Sequence, residues 1–160
     1  MHDDTAPTIA SVSATWWHAT IAPPGSKANA VRARLRRCTT PVEALLVEET
    51  HDLARRLAGT GIDPTRNPAQ LAAIAITLAH VDTAGHQRVA KLFAGDDKRR
   101  ALSQIRFQKL LQSEDAMEIS RRLVRVLPMI DRNAHIASLA NDIFYWGDAV
   151  RTRWTFDYFG

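Results

Sequence analysis

Cysteine is almost absent from this 160-residue sequence, which contains only Cys38. A single cysteine excludes a disulfide within the chain and a zinc site built on several cysteines. Long apolar runs are also missing, since no segment approaches the roughly 18 uncharged apolar residues that a membrane-spanning helix needs. Asp3 and Asp4 occupy the region in which a secretory signal carries basic residues. These absences predict a soluble, cytoplasmic protein with no membrane partner.

Motifs for catalysis and cofactor binding are missing as well. The six histidines form no His-Glu-x-x-His motif, and there is no glycine-rich phosphate loop and no Gly-x-Gly-x-x-Gly segment. The basic neighbours of Cys38 favour a lowered thiol pKa, but nothing nearby supplies the oxyanion site that a catalytic cysteine also needs. We therefore predict a protein that is not an enzyme and that uses no metal or cofactor.

Periodic segments that lie between prolines and glycines predict an all-α fold. The chain is long enough to fold as one domain without disulfides, and its 46% of apolar residues suffices for a core. No segment shows the alternation of a β-strand. We predict a single helical domain over residues 1–160, with residues 1–8 disordered or frayed. The bundle has about eight predicted helices, over approximately 9–20, 28–37, 41–58, 68–82, 86–94, 98–111, 114–127 and 134–155.

Several residues carry expectations about packing. Val42 and Leu46 lie on the apolar side of the segment 41–58, so we expect both to face the core. Gly147 lies on the apolar line of the last segment, which favours a close approach of two helices over a hinge. The tryptophans are expected to pack between helices rather than to stack on nucleic-acid bases. They are Trp16, Trp17, Trp146 and Trp154.

Arginine is what the sequence has in excess. There are 21 basic residues against 17 acidic ones, and 17 of the basic residues are arginine. Ten of the 21 lie in two acid-free segments, 27–37 and 98–109. The segment 114–127 places its apolar residues on one half of the helix and its arginines on the other, so the arginines face outward. Because the guanidinium group suits phosphate oxygens, these clusters predict contact with a polyanion.

A helix-turn-helix regulator of transcription is the alternative that the residues leave open. Such a protein places base-reading amides beside basic residues on its recognition helix. Gln104, Gln108 and Gln112 could serve this purpose in the segment 98–111.

Several short motifs, taken in order, resemble a known family. They cover most of the chain from residue 16 onward, and the last stretch is the most specific, with Tyr145-Trp146-Gly147-Asp148 followed by the aromatic ending at 153–159. The other motifs are Trp16-Trp17, the segments 33–37, 41–45 and 105–111, and the segment 123–128. Through these motifs and their order, the chain resembles the CasB family, the small subunit of the type I-E CRISPR Cascade complex.

The resemblance implies a function and a set of partners. Members of this family are all-α and non-catalytic, and two copies lie along an RNA-guided complex. They contact the backbone and large subunits of the complex that contains the CRISPR RNA. Their basic surface helps to hold the opened target DNA, especially the displaced non-target strand, and a separate nuclease-helicase then cuts.

The resemblance also implies which residues bind nucleic acid. The family's C-terminal run is expected to be more basic than it is here, where Ala149 and Thr152 interrupt it. The predicted nucleic-acid-binding residues are Arg34, Arg36, Arg37, Arg106, Lys109, Arg121, Arg122, Arg125, Arg151 and Arg153.

Overall fold

The computed structural model describes residues 6–160, and over this range the chain forms ten α-helices. Eight of them have eight residues or more, in agreement with the predicted all-α fold. The helices are α1 (Ile9–Trp16), α2 (Ser26–Arg36), α3 (Pro41–Leu45), α4 (Glu48–Ala58), α5 (Pro68–Ala79), α6 (Val89–Ala94), α7 (Gln104–Leu111), α8 (Ala116–Val126), α9 (Ile136–Phe144) and α10 (Asp148–Phe159). Most of the predicted disorder over residues 1–8 lies outside the described residues.

Short irregular elements complete the chain. A π-helical turn, Trp17–Ile21, continues α1, and 3-10 turns cover Pro64–Arg66 and Leu127–Ile130. Two strands of two residues, β1 (Thr83–Ala84) and β2 (Asn133–Ala134), pair in parallel and connect the two halves of the chain. No helix of the described residues has both the length and the apolar character to cross a membrane.

Helix α5 lies at the centre of the bundle. Every residue from Leu71 to Ala79 is buried, which agrees with the apolar character of this segment on all sides. Helices α2, α3, α4, α8 and α9 all contact α5. Where α5 meets α8, the Thr77 hydroxyl donates a buried hydrogen bond of 2.7 Å to Ser120 Oγ. The central position of α5 fixes the orientation of α8 and therefore of its outward face.

The predicted helix over 41–58 is two helices, because the chain turns at Val47. The backbone of Val47 is extended (φ −87°, ψ 118°) and its side chain is buried. This turn moves α3 out of line with α4, so the expectation that Val42 and Leu46 face the core is wrong. Their exposed fractions are 67% and 75%.

The predicted helix over 134–155 is also divided, at Tyr145–Gly147. Gly147 is the N-cap of α10 rather than a point of close approach between helices, and its backbone is extended. The aromatic ending belongs to α10, which continues to Phe159. Tyr158 is buried there, stacks on Phe107 with ring centroids 3.9 Å apart, and donates a 2.6 Å hydrogen bond to Leu102 O. The end of the chain therefore packs on the protein's own core.

The prediction that the tryptophans pack between helices is confirmed. Trp16, Trp17 and Trp154 are buried, and Trp146 is partly buried against the same core. Each indole N–H reaches an acceptor, as a buried indole requires. The acceptors are Glu49 O at 2.9 Å, Leu78 O at 3.0 Å, Ser113 O at 2.7 Å and the Asp142 carboxylate at 2.8 Å.

Candidate nucleic-acid interface

Helix α8 separates its two faces as its sequence predicts. Asp115 caps the helix by accepting a 2.9 Å hydrogen bond from Glu118 N. The inner face includes Ile119 and Leu123, which are fully buried, and Arg121 and Arg125 are exposed on the other side. The arginines face outward because the opposite half of the helix supplies part of the core.

Two hollows of about 260 Å³ each adjoin this outer face. The first, here called the His80 hollow, has an apolar floor and a rim that includes Arg36, Arg121 and Arg125. The second, the Lys109 hollow, lies on the other side of Arg125, which lines both. The His80 hollow is lined by Arg36, Cys38, Thr39, Ile76, His80, Met117, Ser120, Arg121, Val124 and Arg125, and the Lys109 hollow by Arg106, Lys109, Leu110, Arg122, Arg125 and Val126.

The structure thus brings six of the ten predicted binding residues to one surface, which we call the α8 basic face. Its members are Arg36, Arg106, Lys109, Arg121, Arg122 and Arg125. Arg34 and Arg37 lie beside it, at the end of α2, where the charges of both act on Cys38. Basic residues that are far apart in the sequence therefore form one patch in the fold.

The ten predicted residues differ in whether an acidic side chain neutralises them. Arg36 pairs with Asp82 at 2.6 Å, and Arg122 pairs with Glu118 at 2.7 Å. Arg151 and Arg153 are also paired. Over residues 6–160 the remaining six have no carboxylate within 4.0 Å, and they are Arg34, Arg37, Arg106, Lys109, Arg121 and Arg125.

Arg151 and Arg153 hold α10 in place within the fold. Arg151 donates to Leu111 O at 2.9 Å and to Ser113 O at 2.6 Å, and it pairs with Asp148. Arg153 pairs with Asp142, which is buried. Arg151 therefore bonds to the protein through all three of its side-chain nitrogens, and Arg153 does so through its pair with Asp142. Neither residue lines the two hollows.

A further basic cluster lies elsewhere on the surface. Lys98, Arg99 and Arg100 belong to the predicted helix over 98–111, but this helix begins only at Gln104. The guanidinium of Arg100 stacks over Tyr158, 4.3 Å from the ring centroid, and donates to Tyr158 O. Only the later part of the acid-free segment, with Arg106 and Lys109, contributes to the α8 basic face.

His80 lines the first hollow as a neutral ring between two arginines. Burial, followed by repulsion from Arg36 and Arg132, lowers the pKa of His80 to about 4. Asp82, which pairs with Arg36, acts in the opposite direction and does not overcome these effects. No sequence pattern indicates this environment, since Arg132 is 52 residues away from His80 along the chain.

The lowered pKa of His80 predicts a loss of stability in mild acid. Between pH 6.5 and about 4 the unfolded chain binds a proton at His80 and the folded chain does not, so stability falls as the pH falls. With allowance for solvent screening of a partly exposed ring, we expect a loss of about 1 kcal/mol between pH 7.5 and 5. Urea unfolding of the wild type and of His80→Gln at both pH values measures it. The same pH dependence in both proteins would contradict the prediction.

The structure corrects the expectation for Cys38. Burial raises the pKa of its thiol, Glu43 acts in the same direction, and the lowering by Arg34 and Arg37 is smaller. The thiol therefore stays protonated at neutral pH, as a residue with a packing role would. No group of three or more His, Cys, Asp and Glu side chains among residues 6–160 is arranged to hold a metal ion.

The apolar floors of the hollows were not predicted. Ile76, Met117 and Val124 contribute to the first, and Leu110 and Val126 to the second. Each of these residues satisfies the pattern of an ordinary core position in its own helix. Only the packing of α5, α7 and α8 shows that they also reach the surface between arginines.

Fold and surface together define a class, a small all-α protein with a basic helix face. The family model of CRISPR-associated protein Cse2 matches residues 31–159. The chain belongs to this Cse2 family, also designated CasB, which confirms the family resemblance of the sequence.

A solved structure has a similar fold. A chain in the crystal structure of Escherichia coli Cascade bound to a PAM-containing double-stranded DNA target matches with a TM-score of 0.67. The match covers 92% of this chain and 95% of that chain at 16% sequence identity, so the two share a fold. No curated protein sequence matches this chain.

Proposed function

We propose that this protein is a non-catalytic small subunit of a type I-E CRISPR Cascade complex that stabilises opened target DNA. Membership of the Cse2 family supports the part of the proposal that makes this chain a subunit of a Cascade complex. The α8 basic face supports the contact with DNA, and it is the single observation on which that part of the proposal depends. The partners are the complex that contains the CRISPR RNA, with its backbone and large subunits, a second copy of this chain, and the displaced non-target strand.

The proposed mechanism is electrostatic. Opening a duplex against a guide RNA is nearly balanced in free energy, because one set of base pairs replaces another. Contacts to the backbone of the displaced strand can therefore shift the equilibrium toward the open state. Arg106, Lys109, Arg121 and Arg125 are suited to this role, since no described carboxylate neutralises them. Phosphate contacts of this kind give affinity without reading the base sequence.

Exposed apolar side chains are available for the protein partners. A soluble monomer seldom leaves large apolar residues exposed in clusters, and such residues often mark interfaces. Val42 on α3 and Leu46, the C-cap of the same helix, form one such pair, and Phe156 lies exposed on α10. We assign the contacts with the other subunits to surfaces of this kind, and the contacts with DNA to the α8 basic face.

Selection from a pool of random duplexes, together with binding to one single strand, tests the proposal against the alternative of a transcription regulator. We expect the full-length protein to enrich no duplex motif and to bind a single strand with an affinity that falls as salt rises. Enrichment of one motif would favour the helix-turn-helix alternative, in which Gln104 and Gln108, both exposed on α7, read base edges.

A further inference from the structure

The two hollows share a construction that phosphate binding alone does not require. Each has an apolar floor and a basic rim, and Arg125 separates them. A phosphate needs only the rim, because an ionised group gains nothing from apolar side chains. A nucleotide of an unpaired strand, in contrast, combines a charged phosphate with a flat, largely apolar base.

We propose that the His80 and Lys109 hollows each receive one unstacked base of the displaced strand while the rim arginines bind the adjoining phosphates. This inference rests on the proposed function and adds the ligand of the hollows to it. The guanidinium of Arg125 lies between the two positions, where it can stack on a neighbouring base.

The size of the hollows fits one base each. Both volumes, about 260 Å³, are below the roughly 300–1,000 Å³ of a pocket for a drug-sized ligand. A duplex cannot use the floors, since its bases are paired and stacked inside the helix. A strand that is already single has the least unstacking to overcome. The hollows therefore favour unpaired over paired DNA.

The polar groups of the His80 hollow are mostly engaged with the protein. Ser120 Oγ accepts from Thr77 at 2.7 Å and lies 3.4 Å from Ala73 O. Cys38 Sγ lies within hydrogen-bond distance of Arg34 O, at 3.2 Å. These two groups have little hydrogen-bonding capacity left for the edge of a base, and His80 Nδ1 faces the Arg132 guanidinium at 3.4 Å. Because the rim arginines bind the phosphates in this proposal, the hollow accepts bases with little regard to identity. This tolerance suits a subunit that meets a different sequence in every target.

A strand without bases provides the test. Fluorescence anisotropy with the full-length protein would compare a labelled thymidine strand with an abasic strand of the same length, which has the same phosphates. We expect the abasic strand to bind about 10- to 30-fold more weakly, as the lower end of measured base-stacking contributions implies for two bases, with the same salt slope. Salt-dependent binding that is equal for both strands would overturn this inference and leave the proposed function intact. If neither strand binds in a salt-dependent manner, both the base-binding inference and the proposed contact with DNA are wrong.

Variants of the floors localise the effect. Val124→Asn together with Val126→Asn should reduce the difference between the two strands to less than about 3-fold while affinity for the abasic strand is retained, because only the base-binding part is removed. Val12→Asn is the matched control, since Val12 is also partly buried but lies on α1. An undiminished difference in the double variant would overturn the assignment to these hollows. If the double variant does not fold, the comparison of the thymidine and abasic strands with the wild-type protein still decides whether bases contribute to binding.

Discussion

Replacement of Arg106, Lys109, Arg121 and Arg125 by alanine is expected to weaken single-strand binding by about two to three orders of magnitude at 0.1 M salt. The expectation follows from counterion release, which contributes roughly −0.7 to the log–log salt slope for each phosphate contact of a single strand. Four lost contacts flatten the slope by about 2.8, and the loss of affinity is largest at low salt. Titration of a labelled strand at several salt concentrations measures both quantities.

The control for this variant removes arginines that lie away from the α8 basic face. Arg55 and Arg66 are exposed, with 70% and 86% of their side chains accessible. Arg66 precedes α5 and His80 follows it, which separates them by the length of a 12-residue helix, about 18 Å. Arg55→Ala with Arg66→Ala should leave the slope unchanged. A loss in the control that is about half of the loss in the four-residue variant, in proportion to the charges removed, would indicate a response to net charge alone and would contradict the assignment of the site.

Replacement of the paired arginines gives a different expectation. Arg36 and Arg122 each share their charge with a carboxylate, so their removal also frees Asp82 or Glu118. Removal of either arginine lowers the local charge by one, as removal of any arginine does, but the ion pair holds its guanidinium against the protein and leaves it less free to bind a phosphate. The principal variant therefore replaces only the four residues of the α8 basic face that have no described carboxylate partner.

Asp142→Ala is expected to destabilise the fold by about 3 kcal/mol. Asp142 is 2% exposed, pairs with Arg153 and accepts a 2.8 Å hydrogen bond from Trp154 Nε1. Its loss leaves a guanidinium without its partner and a buried indole N–H without an acceptor, and each is costly in an apolar environment. Urea unfolding of the wild type and the variant gives the difference in the free energy of unfolding.

Asp148, the first residue of α10, provides the matched control. It pairs with Arg151 at 2.9 Å, but its side chain is fully exposed. Water screens such a pair, so Asp148→Ala should cost less than about 1 kcal/mol even with the loss of a favourable charge in the first turn of α10. Similar losses of unfolding free energy in Asp142→Ala and Asp148→Ala would contradict the prediction, because burial of the Asp142 ion pair would then have no measurable effect.

Helix positions could be predicted where local chemistry decides them. The proline at the first position of α5 and the apolar run that follows are sufficient to define that helix. The breaks at Val47 and at Gly147 could not be predicted in the same way, because the flanking segments keep a helical pattern on both sides. At these two breaks the chain turns, and the side chains of Val47 and Trp154 are buried in the core. The free energy gained from this burial depends on neighbours that are distant in the sequence.

The candidate site divides in a similar way. The outward orientation of Arg121 and Arg125 follows from the amphipathic pattern of α8 alone. That Arg106 and Lys109 lie on the same surface, and that Arg151 and Arg153 are engaged inside the fold, does not follow from any local pattern. It depends on which residues α7 and α10 meet, and Asp142 and Ser113 carry no mark of this in the sequence.

The all-α class, the family and the excess of outward-facing arginine follow from the amino-acid sequence, because these depend on composition, periodicity and motifs within single segments. The tertiary fold sets which arginines have a carboxylate partner, how two acid-free segments and α8 meet in one basic face, and where apolar floors open between them. Pairing and clustering depend on distances between residues that are far apart along the chain, and those distances exist only once α5 has ordered the helices around it.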